Sequence, residues 1–311
     1  MTRPTALHAL GSALAIAAIV LASDGARAQE SYSTGQNIAP VYEGWEKHAD
    51  GSFNLVFGYF NRNWEEEINL PVGPENGFSP GGDQGAGAPG LSLDQGQPTH
   101  FLPRRNRFLF RIPVAKDFGT RELVWTLTSH GKTERAYASL KADYFIDDTV
   151  IMANFGAAGM GGADPSLNGN KPPALAVGGS ATRTAKVGEP IALEATATDD
   201  GIPKPRPMPR LNPNFASRFT VDSATGLRLS WFVYRGAGRV AFDPPQTKVW
   251  EDTRDGGGSP WSYGWRTPPV PPDNKWLVRA TFTEPGTYVL RCLAHDGGLS
   301  TAQDVTVAVN R

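Results

Sequence analysis

What most constrains this chain is the spacing of its apolar residues, which recur every second position in short runs closed by Gly, Pro, Asn and Asp. In Ser52-Phe53-Asn54-Leu55-Val56-Phe57-Gly58-Tyr59-Phe60, the side chains of Phe53, Leu55, Phe57 and Tyr59 share one face. That is the periodicity of a half-buried strand. Phe108, Phe110 and Ile112 repeat it, as do Leu123, Trp125 and Leu127. The last run passes through Ser129-His130-Gly131-Lys132 into Arg135–Leu140, which predicts a hairpin. Further along, Ile191–Ala197, Leu227–Tyr234, Tyr288–Ala294 and Ala302–Asn310 alternate in the same way. Outside the first residues no segment carries a helical repeat. The expected fold is therefore all-β, two antiparallel β-sandwich domains following an export leader.

The leader is read from residues 1–28. Arg3 precedes an apolar run from Ala6 to Ala22, and Ala26-Arg27-Ala28 supplies small side chains at a cleavage point, predicting a mature start at Gln29. A run of about 17 residues is marginal for a spanning helix, and nothing later is long and apolar enough to act as one. The expected location is periplasmic or extracellular, with no transmembrane anchor once the leader is removed. The mature chain would carry 28 basic and 30 acidic residues, a net charge near −2. So neutral a balance argues against nucleic acid as a partner, since phosphate binding needs a basic face. Cys292 is the one cysteine, so no intrachain disulfide can form and stability must come from packed apolar faces.

Glycine and proline, 35 and 26 of 311 residues, punctuate the strands. Gly73–Pro98 is poor in apolar side chains and is expected to be a mobile surface loop. A second glycine-rich stretch ending in Lys171-Pro172-Pro173 marks a domain boundary. The expected organisation is a first sandwich over 29–155, a linker over 156–171 and a second sandwich over 172–311.

In the second half, four features recur in order. The Ile191 strand ends in Asp199-Asp200-Gly201, and Leu229-Ser230-Trp231 leads to Gly238-Arg239-Val240-Ala241-Phe242. Ala280-Thr281-Phe282 approaches Pro285-Gly286-Thr287-Tyr288, and Asp296-Gly297-Gly298 precedes the final strand. This pattern resembles the PKD-type immunoglobulin-like modules of bacterial surface and secreted proteins. The resemblance covers most of 172–311 and implies a sandwich fold in an extracytoplasmic setting, but no activity. Two insertions, Lys204–Ala224 and about Gln246–Asn274, depart from a minimal module. The first half, with GSFNLVFGYFNRNWEEE and HFLPRRNRFLFRIP, resembles exported bacterial proteins without assigned activity.

Catalytic signatures are sparse. His48, His100, His130 and His295 show no metal-ligand spacing, and no Gly-x-Ser-x-Gly elbow occurs. His130 falls in a turn and His295 at a strand end, where solvated imidazoles are expected. Cys292 alternates inward, a poor place for a reactive thiol. Glu65, Glu66 and Glu67, and Asp143, Asp147 and Asp148, are the carboxylates that a glycosidase-like pair could draw on. Three successive glutamates more simply form a solvated edge.

Three binding candidates remain. The second insertion gathers Trp250, Trp261, Tyr263, Trp265 and Trp276, rings that either cover the sandwich or stack on a partner such as a sugar. Arg105 and Arg107, expected on one face with Arg104 on the other, could bind an anion or form salt bridges. Asp199, Asp200 and Asp296, at neighbouring strand ends, could supply oxygens to calcium; their alternative role is turn formation. No other cofactor is expected. These features favour an exported, non-catalytic binding, adhesion or envelope scaffold protein whose partner is an envelope protein or a glycan. The competing expectation is a carbohydrate-binding module, or a carbohydrate-active enzyme, using the aromatic loop.

Overall fold

The computed structural model describes residues 32–81, 92–157, 164–208 and 222–311. The expected leader and its cleavage point lie outside these residues.

The strands expected from period-two alternation are present. The first sandwich opposes two three-stranded antiparallel sheets. One places β2 (Phe53–Asn61) between β1 (Ile38–Lys47) and β6 (Arg104–Val114). The other places β7 (Leu123–Ser129) between β4 (Asn76–Pro80) and β8 (Lys132–Ala138). A ribbon of β3 (Ile68–Asn69) and β5 (His100–Phe101) joins them at one end. Leu55, Phe57 and Tyr59 face Trp125 and Leu127 and are almost fully buried. At the centre Phe57 stacks on Phe110 at 5.5 Å between centroids, while Trp125 stacks on Phe78 at 5.7 Å.

Phe78 corrects the expectation of a mobile Gly73–Pro98 loop at its leading flank; residues 82–91 of that loop lie outside the described residues. Its ring is buried and its backbone pairs with Trp125 in β4. A large apolar side chain at the right register helps anchor this strand next to a glycine-rich stretch. Buried Asn76 fixes the same segment, donating to Leu70 O and Pro98 O and accepting from Trp125 Nε1.

A second departure lies in β6. Phe108, Phe110 and Ile112 are all buried, but Phe108 adopts φ +49° beside a register shift between Phe57 and Tyr59. The bulge turns Phe108 away from the sheet interior that holds Phe110 and Ile112, into a separate cluster with Phe155 and Trp261. A third is a seven-residue α-helix, α1 (Asp148–Asn154), capped by Asp147, whose carboxylate accepts from Val150 N. Such a segment is too short for a helical period to register in the sequence.

The second sandwich opposes two four-stranded sheets. One has the order β13 (Val240–Asp243), β14 (Lys275–Phe282), β11 (Ile191–Thr198), β9 (Ala174–Val177). The other has β10 (Thr182–Lys186), β16 (Ser300–Asn310), β15 (Gly286–His295), β12 (Arg228–Arg235). All pairs are antiparallel except β10 with β16. This split, with a buried Trp231 on β12 opposite Cys292 on β15, is immunoglobulin-like. Tyr288 O–H donates to Glu284 O at 2.9 Å, forming the tyrosine corner of such folds. Cys292 is fully buried, and burial pushes its thiol pKa up.

Residues Ser33–Arg311 form one compact unit. The described ends of the 156–171 stretch are packed: Ala157 and Leu167 are buried in a cluster with Met152, Phe155, Trp261 and Leu299.

Candidate functional site

The seam between the sandwiches is a built interface. Arg291 on β15 grips Asp304 through two hydrogen bonds, donates to Leu109 O at 2.7 Å and lies 3.5 Å over the ring of Tyr234. Arg235 forks onto Asp94 and donates to Gln97 O. Planar guanidinium groups suit such bidentate contacts. Leu102 and Leu109 from one side pack against Phe232, Tyr234, Val249 and Leu293 from the other.

Beside this seam opens a cleft of about 920 Å³. Glu65, Glu66, Glu67, Asn69 and His100 line one wall; Trp231, Arg239, Gln246, Lys248 and Trp250 line the other. The wall of glutamates is held in place. His100 Nδ1 faces Asn69 Oδ1 at 2.7 Å and its Nε2 faces Glu67 Oε2 at 3.0 Å, while Asn69 Nδ2 donates to Ala237 O. The hydrogen bond from His100 holds the Glu67 carboxyl below its ordinary pKa. Glu65 accepts from Arg254, and Glu66 accepts from Gly35 N and faces His130. A glycosidase acid needs a raised pKa to stay protonated; Glu67 has the opposite shift, and its neighbours are tied to partners. Asp143, Asp147 and Asp148 do not line the cleft.

On the far rim, Asp252 is buried beneath Arg254 and Lys248. Burial alone would raise its carboxyl; hydrogen bonds from Arg254 and Lys248 outweigh that and bring the pKa down to about 2. Arg104 and Arg254 both lie within 5 Å of the centroid of Trp64, at 4.0 and 4.9 Å.

The aromatic insertion is divided. Trp261 is 4% exposed within the cluster around Phe155, and Trp276 packs on the second core. Trp261 covers the fold and cannot stack on a partner without opening it, whereas Trp276 is half-buried. Trp265 is half-buried and Tyr263 exposed. Trp250 packs on the seam and also lines the cleft, with a buried Nε1–H that has no acceptor. The indole N–H of Trp231, on the same wall, has none either.

Of the two roles open to Arg105 and Arg107, an anion site or salt bridges, both side chains are in salt bridges. Arg105 is clamped by both oxygens of buried Glu43, at 2.8 and 2.7 Å, and Arg107 pairs with Glu251 at 2.7 Å. With carboxylates already on them, the guanidiniums present no uncompensated charge. His295 is likewise not solvated: it is buried against Phe155, its Nδ1 accepts from Gly297 N, and burial drives its pKa well below the imidazole value. The cleft had no sequence signal, because it is assembled from residues far apart in the chain, and Asp252 and Arg254, two residues apart, fell within the insertion without any pattern to mark them.

Asp199, Asp200 and Asp296 behave differently from one another. Both oxygens of Asp200 cap backbone amides, those of Lys171 and Ile202. Asp199 uses one oxygen on Gly201 N, and Asp296 uses one on Gly298 N and Leu299 N. Among the described residues no group of three or more His, Cys, Asp or Glu side chains could hold a metal, and no helix is long and apolar enough to cross a membrane.

No family model matches the chain, and no curated protein matches it. Among solved structures, an I-band fragment from titin shares 9% identity over 88% of this chain and 64% of that one, with a TM-score of 0.23. Sidekick-1 immunoglobulin domains 1-4 share 13% over 89% and 51%, with a TM-score of 0.22. Domains 4 and 5 of the S-layer protein SbsC share 10% over 60% and 65%, also at 0.22. The chain thus spans about two thirds or less of each of these chains. At such scores the alignments carry no argument about function, and the immunoglobulin-like assignment rests on the strand order.

Proposed function

We propose that this chain is an exported, non-catalytic binding or scaffold protein that presents the cleft beside its seam to an envelope component. The observation that carries this reading is the seam itself: Arg291, Arg235 and Asn69 tie the sandwiches together by side-chain to backbone bonds, so the cleft walls keep their spacing. Pre-set walls lower the ordering cost of binding. The glutamates on the cleft are engaged as structural acceptors, which supports the non-catalytic part. We read the second sandwich as a PKD-type module, on the Asp199-Asp200-Gly201 turn and the tyrosine corner, and the first as its counterpart in exported proteins of unassigned activity.

A glycan is the favoured occupant on one further ground: the wall that carries Trp250 also carries the polar side chains of Gln246, Arg239 and Lys248. Sugars present hydroxyl acceptors to such donors and apolar faces to such rings.

The test uses the mature chain on a glycan array and on polysaccharide and peptide hydrolysis panels. Retention of a glycan, lost in Arg239→Glu and weakened in Trp250→Phe, supports the cleft. Silence on the array with capture of an envelope protein, sensitive to Arg239→Glu, supports scaffolding without sugar. Turnover that disappears in Glu67→Gln would refute the non-catalytic reading.

A further inference from the structure

Buried polar atoms without partners cluster at one end of the second sandwich. Asn170 leads into β9, Asp199 follows β11, and Asp296 follows β15. Lys171 N donates to Asp200 Oδ2, which draws the 170–171 segment against the loop after β11. The Asn170 amide bears on the Asp296 carboxyl, and the Asp199 charge acts on it as well. A Cβ placed on Gly298 would lie 3.1 Å from Asn170 Nδ2 and 3.4 Å from Asp296 Oδ1, so the loop after β15 closes directly over the pair.

Asp199 Oδ1, Asp296 Oδ2 and Asn170 Oδ1 are buried and accept no hydrogen bond. Asp296 is 0% exposed and Asn170 7%. A buried carboxylate oxygen without a donor is costly, and such atoms call for an ion or a water. All three are oxygens at the same end of the sandwich and share one chemistry. Arg228, a buried cation that feels the Asp296 charge, donates to Ala224 O and, among the described residues, forms no ion pair with either aspartate.

We propose that Asn170, Asp199 and Asp296 form a calcium site that pins the entry of the second sandwich to the loops after β11 and β15. Oxygen-only donors select a hard cation. An irregular set of two carboxylates and one amide, completed by waters or carbonyls, suits calcium better than magnesium, which demands a near-ideal octahedron. Few charged ligands place the affinity in the weak range of extracellular modules, on the order of 10⁻⁴–10⁻³ M. Asp200, its oxygens spent on backbone amides, lies outside the set. The site does not depend on what the cleft binds.

The test is a calcium titration of the chelator-stripped full chain by calorimetry and thermal melting at pH 7.5. The expected result is one site in the range above and a Tm raised by about 3 °C or more in excess calcium, with a much smaller response to equal magnesium. Asp199→Asn, at a half-buried position, should abolish both responses while Asp200→Asn keeps them. Asp296→Asn should match Asp199→Asn if it folds; if it does not, the Asp199 variant decides. No calcium response in the unaltered chain, an undiminished one in Asp199→Asn, or equal loss in Asp200→Asn would overturn the assignment.

Discussion

Arg291 stands 3.5 Å over the ring of Tyr234, and both belong to the same sheet of the second sandwich while Arg291 reaches across to the carbonyl of Leu109. Arg291 is 9% exposed; burial opposes its charge, but the hydrogen bonds that it donates to the Asp304 carboxylate outweigh that and keep the guanidinium charged. One side chain therefore braces its own sheet and the neighbouring sandwich.

Arg291→Ala removes the fork to Asp304, the ring contact and the inter-sandwich bond together. A loss of about 3–5 kcal/mol is expected, read from urea unfolding. Arg291→Lys should recover less than half, because an ammonium cannot make the planar fork.

Trp261 fills the cluster of Met152, Phe155, Leu167 and Leu299. Trp261→Ala should cost about 3–5 kcal/mol. Leu277, 62% exposed, should tolerate serine within about 0.5 kcal/mol. Equal, small effects at both positions would show that the insertion does not cover the fold.

Asp252 gives a pH dependence. Its folded pKa of about 2 lies below the unfolded carboxylate value, so it stabilises the fold above about pH 4, and that contribution is lost as pH falls through 2. The size is on the order of 2 kcal/mol. Asp252→Asn should lower stability at pH 7 by at least that amount and flatten the acid limb of the stability curve between pH 4 and 2.

Tyr288→Phe deletes the hydroxyl that reaches Glu284 O and leaves the ring in the core. About 1 kcal/mol should be lost, without change in near-ultraviolet circular dichroism.

Cys292 reports on the second core. Its buried thiol should react with a disulfide reagent only as the sandwich opens, and labelling should coincide in urea with the loss of Trp125 burial in the first. Labelling well before that loss would show that the sandwiches unfold separately.

Legibility in the sequence followed the range of the interactions. Period two identified the faces of Leu55, Phe57 and Tyr59 and of Trp125 and Leu127, because alternation is a property of neighbours. Phe78 was hidden, since a single ring in a glycine-rich run has no period, and Phe108 was misassigned, because a bulge inverts the face without changing the alternation. The pairing of Arg105 with Glu43 and of Arg107 with Glu251 joins residues about 60 and 140 positions apart, out of reach of any local pattern. Asp199 and Asp296 could be noted as strand-end acids, but their free oxygens, and Asn170 beside them, exist only once three loops are folded together.

The parallel pairing of β10 with β16 sets Lys186 beside Asn310 and Thr182 beside Thr306. Tension drawn between the chain ahead of Thr182 and the chain beyond Asn310 would pull these two strands in opposite directions along their length. All of their rungs would then bear the load at once rather than one after another, and this edge would resist stretching far more than a strand pair opened from its end.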